Sequence, residues 1–195
     1  MNHTIDYYNN NASQFIETTS NTSFSSIQER FLDKISKGAH ILDFGCGSGR
    51  DTKYFLDKGY KVTAVDGSHE MCVFASQFTG TEVKQMMFQE LNEHELYDGI
   101  WACASILHLP KDELIIVLSK MCDSLKKNGI MYTSFKYGEF EGNRYGRYFI
   151  DMTEDRFGKL VNSIPNLVLI EQWVSNDVRP GREGEKWLNI LLRKK

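Results

Sequence analysis

Apolar positions in this chain fall into short runs separated by helical stripes. Residues 39–44 form an apolar run that breaks into alternating glycines at Gly45, Gly47 and Gly49, so a strand, a tight turn and a helix over 50–58 closed by Gly59 are expected. The β-branched run 61–66 predicts a second strand, and Ser68 is placed to cap a helix over about 69–77. Residues 82–88 read as a third strand ending at Gln89. A fourth strand starts at Tyr97, and Leu114, Val117, Leu118, Met121 and Leu125 give one face of a helix over 111–125. A fifth strand over 130–135 leads into a loop holding Arg144 and Arg147, then a helix over 154–162 and a closing strand pair over 167–174 and 187–192. Upstream, Phe24, Ile27, Phe31, Leu32 and Ile35 lie at helical spacing until Gly38, and residues 4–18 read as a short helix or lid. Strands alternating with helices imply a parallel sheet with right-handed crossovers.

The 195 residues fit one domain, read as an N-terminal helical cap over 1–37 and a ligand-binding domain over 38–195. No apolar run approaches a membrane span, and residues 1–20 lack the basic start and apolar centre of a secretory signal, so a cytoplasmic protein without a membrane partner is expected. A net charge of −3 gives no global basic field for nucleic acid. Cys46, Cys72, Cys103 and Cys122 have no C-x-x-C spacing and the five histidines no ligand spacing, so neither metal nor disulfides are implied.

The chemistry concentrates at the glycines. Glycine admits positive φ and lets a ligand approach the backbone closely, and the free N–H groups of the following helix face the same place. Asp66 ends the second strand 21 positions after Gly45, where a carboxylate is placed to accept hydrogen bonds from ribose hydroxyls. Together they indicate an adenosine-containing ligand. The segment Asp43-Phe44-Gly45-Cys46-Gly47-Ser48-Gly49 resembles the first motif of class I S-adenosylmethionine (SAM)-dependent methyltransferases, D-x-G-x-G-x-G, and not the dinucleotide pattern G-x-G-x-x-G. The resemblance spans roughly residues 38–194. It implies a Rossmann-like α/β fold with a seven-stranded, mostly parallel sheet and an antiparallel last strand. It also implies SAM as methyl donor, with S-adenosylhomocysteine as product.

Carried onto this chain, the resemblance makes Asp43, Gly45, Cys46, Gly47, Gly49, Arg50, Asp66 and Gly67 cofactor residues. Met71, Phe88 and Gln89 would meet the adenine, with Gln89 or the Phe88 backbone where relatives carry an aspartate, and Ala104 lies where the fourth strand ends beside the methyl donor. The glycine turn running into Arg50 is similar to that of tellurite-resistance and other small-molecule methyltransferases.

Ligands of open α/β sheets bind beyond the carboxyl ends of the strands. Topology therefore places Arg144, Arg147, Arg179 and Arg182 on one rim, where guanidinium forks suit an anionic small-molecule acceptor. The competing reading pairs these arginines with neighbouring acidic residues. Tyr7, Tyr8 and Tyr148 are candidate pocket walls. His108, just past the fourth strand, is the candidate general base, on the strength of an unperturbed pKa near neutral. A tRNA substrate, or a non-catalytic SAM-binding partner subunit, are the alternatives.

Overall fold

The computed structural model describes residues 3–20, 22–179 and 181–195; Met1, Asn2 and Asn21 of the expected cap and Pro180 of the loop between the closing strands lie outside them. Two short helices, α1 (His3–Asn10) and α2 (Ala12–Thr19), precede α3 (Ser25–Leu32). The strands β1 (His40–Phe44), β2 (Lys61–Asp66) and β3 (Val83–Gln85) alternate with helices α4 (Arg50–Asp57) and α5 (His69–Thr79). Then come β4 (Tyr97–Ala102), α6 (Lys111–Ser124), β5 (Leu125–Lys136), the hairpin β6 (Glu141–Arg144) and β7 (Arg147–Ile150), α7 (Glu154–Val161), β8 (Leu167–Asn176) and β9 (Lys186–Lys194).

Seven strands of the described residues form one sheet in the order β3-β2-β1-β4-β5-β9-β8, with β9 antiparallel to both of its neighbours. This is the Rossmann-like architecture that the resemblance implied, and its parallel part is what the strand and helix alternation implied. Strand order reverses between β1 and β4, whose parallel register pairs Asp43 with Trp101. The carboxyl ends of β1, β2 and β4 therefore meet at one edge.

Both faces are covered because side chains alternate along each strand. Leu42 and Phe44 of β1 point to a core that includes Leu118 of α6 and Phe157 of α7, while Ile41 points to one built with Phe31 of α3 and Phe55 of α4. Trp101 anchors the second core, fully buried, stacked on Tyr132 at 4.0 Å and tilted against Phe31 at 5.3 Å. The approach of α3 dictates Gly99, since a Cβ there would stand 2.7 Å from Cζ of Phe31. No helix of the described residues is long and apolar enough to cross a membrane.

Three elements differ from their sequence patterns. The third strand has three residues, because Glu90 folds back to accept from the Met87 N–H at 2.7 Å and closes a 3-10 turn over Phe88–Glu90. Strand β5 starts at Leu125, with Asn128 at φ 65° and a register shift opposite Tyr97/Gly99 letting the polar residues 126–128 run along the strand end. The loop expected around Arg144 and Arg147 is a hairpin turned by Tyr145 and Gly146 at φ 52° and 76°. Glu-Gly-Asn-Arg carries no apolar alternation, so the pattern had hidden it.

Candidate functional site

The glycine turn is built from its own backbone. The N–H groups of Gly45 and Cys46 both donate to the Val65 carbonyl, at 2.9 and 3.0 Å, which ties the end of β1 to the end of β2. Gly45, Gly47 and Gly49 take φ of 83°, 55° and 78°. At Gly45 a side chain would also collide, because its Cβ would lie 2.5 Å from Cβ of Ser105. Asp66 crosses to the turn, accepting from the Gly47 N–H at 2.9 Å and, through its other oxygen, from Ser68 N–H at 2.8 Å. Burial pushes the Asp66 carboxyl above its usual range, and the N–H groups of Ser68, Gly47 and Gly67 pull it back. Ser68 caps α5 as expected, accepting from Met71 N–H.

A cavity of about 210 Å³ opens at this edge. Of the cofactor candidates, Gly45, Cys46, Gly47, Arg50, Asp66, Gly67, Met71, Phe88, Gln89 and Ala104 line it. Asp43 and Gly49 do not. The Asp43 carboxylate lies behind the turn, accepting from the Thr52 hydroxyl at 2.5 Å, and Gly49 is the left-handed N-cap of α4, packed on Thr79 and Ala75. Both shape the turn from behind. Burial, then the charge of Asp51, raises the Asp43 carboxyl to about 8. Asp51 is held by Gln28 Nε2 at 2.7 Å, Trp101 Nε1 at 2.8 Å and two nitrogens of Arg50 at 2.8 and 2.9 Å. The Gln89 amide is already engaged by Glu113 at 2.5 Å, which weakens its case as the adenine partner.

Helices α1 and α2 lie across the cavity. Phe15 packs within 3.2 Å of where a Gly47 Cβ would stand, Ile5 within 2.7 Å at Gly67, and Asn9 Oδ1 accepts from the Ser68 hydroxyl at 2.7 Å. Tyr8 lines the cavity and meets His108 Nε2 at 2.9 Å. His108 Nδ1 lies 2.6 Å from the Tyr148 carbonyl, which only accepts, so Nδ1 carries the proton. Burial, reinforced by Arg147 and Arg144, lowers the His108 pKa to about 4, although the Tyr148 carbonyl opposes the shift. The ring is neutral, Nε2 is bare, and the Tyr8 hydroxyl donates to it. His108, the candidate general base, thus has both ring nitrogens engaged and a pKa lowered to about 4.

The rim arginines separate into two kinds. Arg144 pairs with Asp151 at 2.6 and 3.0 Å, Arg179 with Asp177 at 2.5 and 2.9 Å, and Arg182 with Glu185 at 3.5 Å. The acid pairing weighed against the substrate reading holds for these three, and Arg144 does not line the cavity. Arg147 is different. It has no carboxylate partner among the described residues, its Nε is buried without a hydrogen bond, and its guanidinium lies 4.3 Å over Tyr7, 5.5 Å over Tyr8 and 5.1 Å over Phe149. Nη1 donates to the Tyr8 oxygen at 3.2 Å. Tyr7 and Tyr148 stand outside the cavity, one beneath Arg147 and the other turning its hydroxyl to Glu141 at 2.9 Å.

Sequence reasoning missed Phe15, Asp51, Lys136, Phe149, Trp187 and Asn189, all lining residues. Position after strand five signals Lys136, and position in the closing strands signals Trp187 and Asn189. Phe15 and Phe149 carry no local signal.

Residues 41–129 match the family model described as a methyltransferase domain. A Bacillus subtilis methyltransferase, YqeM, is 27% identical over 143 residues, which are 68% of this chain and 58% of that relative. The chain thus spans less than two thirds of that relative's length. Among solved structures, the Burkholderia thailandensis 1,6-didemethyltoxoflavin N1-methyltransferase with bound S-adenosylhomocysteine superposes with a TM-score of 0.77 at 23% identity, over 98% of this chain and 85% of that one. The Synechocystis magnesium protoporphyrin IX methyltransferase, also with S-adenosylhomocysteine, gives 0.75 at 17% identity over 97% of both chains. At these identities the likeness to the solved structures carries the fold. The sheet order and the intact glycine turn agree with these likenesses: residues 41–129 match a methyltransferase domain, and the fold is that of the solved SAM-dependent methyltransferases.

Proposed function

We propose that the chain binds SAM in the cavity and transfers its methyl group to a small, anionic acceptor held at the Arg147 end. The observation that carries this reading is the junction of two environments in one cavity: the glycine turn with Asp66, and an arginine lacking a counter-charge.

The residues present fit SAM. The Gly45 cradle would be filled by a Cβ, Asp66 keeps acceptor capacity for ribose hydroxyls beside its two N–H bonds, and Met71 and Phe88 offer apolar walls to the adenine. Arg50 lies beside the turn, with Nε and Nη2 given to Asp51, and its remaining nitrogen suits the methionine carboxylate. SAM supplies an electrophilic methyl on a sulfonium, so the protein's part is to align the acceptor and exclude water. Helices α1 and α2 over the cavity serve that exclusion and favour a small acceptor over a polynucleotide. A half-buried guanidinium with a buried, unpaired Nε and no carboxylate is costly, and an acceptor anion relieves that cost.

Calorimetric titration with SAM, S-adenosylhomocysteine and NAD tests the reading. The first two are expected to bind and NAD not. Asp66→Ala is expected to weaken both by about a hundredfold, the scale of two hydrogen bonds to a charged group. Binding of NAD, or of none, would overturn it. Radiolabelled methyl transfer onto a panel of carboxylates and phosphates then identifies the acceptor.

A further inference from the structure

We infer that Tyr8 and Arg147 form a two-point recognition site for an acceptor carrying an N–H or O–H donor next to its anionic group, the donor binding the Tyr8 oxygen and the anion the Arg147 guanidinium. The inference rests on the methyltransferase reading and narrows its acceptor.

The argument is one of hydrogen-bond direction. The Tyr148 carbonyl forces the proton of His108 onto Nδ1, so Nε2 accepts and the Tyr8 hydroxyl must spend its single proton there. Arg147 Nη1 donates to the same oxygen at 3.2 Å. Tyr8 therefore offers the cavity an oxygen that accepts and has no proton left to give. A hydroxyl free to rotate would greet donors and acceptors alike; His108 removes that freedom, and is a positioning residue.

The charged groups around this oxygen agree. Arg147 stands against it; His108, Asp66, Tyr7 and Arg179 are its other titratable neighbours, Arg179 being paired with Asp177; and Arg144, the remaining cation that His108 feels, is neutralised by Asp151. Arg147 favours an anion and Tyr8 disfavours a bare acceptor atom, so neither a simple carboxylate nor a simple amine satisfies both. The Tyr8 oxygen and Arg147 Nη1 are 3.2 Å apart, which requires the two groups of the ligand to lie close together.

The test uses benzoate, aniline and 2- and 3-aminobenzoate as probes, titrated calorimetrically into the full chain saturated with S-adenosylhomocysteine. At least one aminobenzoate is expected to bind about tenfold tighter than benzoate, the scale of one hydrogen bond. Tyr8→Phe is expected to erase that advantage and leave benzoate unchanged. Arg147→Met is expected to weaken every carboxylate and spare aniline. Nitrogen NMR of His108 at neutral pH is expected to show the Nδ1–H tautomer.

An aminobenzoate advantage that survives in Tyr8→Phe, an Nε2–H tautomer, or failure of all four probes to bind would overturn the inference. S-adenosylhomocysteine binding in the same samples, if retained, leaves the methyltransferase reading standing. Its loss would remove both.

Discussion

Two charge clusters border the same cavity, and they are satisfied to different degrees. Beside the glycine turn, Asp51 receives hydrogen bonds from Gln28, Trp101 and Arg50, so the protein itself supplies the donors and the counter-charge. At the proposed acceptor end, Arg147 has aromatic rings and a phenol oxygen for neighbours and no carboxylate among the described residues. The first cluster is closed and holds a loop in shape. The second is missing a charge, which is where a ligand gains most. The inventory of partners separates the two.

The largest effect is expected from breaking the closed cluster. Asp51→Ala strands the Arg50 guanidinium, Trp101 Nε1 and Gln28, and should destabilise by about 3–5 kcal/mol in urea unfolding, the cost of removing one partner of a buried pair.

pH is expected to act on the two ends with opposite sign. His108 titrates near the ordinary histidine value of 6.5 when unfolded and at about 4 when folded. Between those values the unfolded chain binds more protons, so stability falls as the pH drops from about 6.5 to 4, by about 3 kcal/mol. Asp43 is the reverse. Its carboxyl titrates at 3.8 unfolded and at about 8 folded, so the folded chain holds the extra proton in that window and stability declines as the pH rises. Urea midpoints compared between wild type and His108→Asn at pH 4 and 7, and between wild type and Asp43→Asn at pH 5 and 8, should show these opposite slopes.

The smallest effect sharpens the contrast. Arg147→Met, which removes an uncompensated cation and keeps an apolar stem, should change stability by no more than about 1 kcal/mol and in the stabilising direction. A loss as large as that of Asp51→Ala would mean that Arg147 is a structural group and not one that awaits a ligand.

Much of the cofactor end was legible in the chain. Gly45, Gly47 and Asp66 are local devices whose spacing carries their geometry, and ten of the twelve residues carried over by the resemblance line the cavity. The two that do not, Asp43 and Gly49, belong to the motif for a reason that strand direction hides: Asp43 points away from the ligand edge to Thr52. The acceptor end was legible only as a list of arginines. Topology brings four to one rim, but partner choice depends on side chains a few ångströms apart, and three of the four found acids within seven residues in sequence.

By itself the sequence determined the alternation of strands and helices, the glycine turn and the carboxylate across from it, since periodicity and glycine's backbone freedom act within a few residues. Only the tertiary structure decided that Tyr8 meets His108 a hundred positions away, that a backbone carbonyl fixes which way their shared proton points, and that Arg147 is left without an acid. Hydrogen-bond direction and charge pairing are properties of assembled neighbours, and no spacing along one chain encodes them.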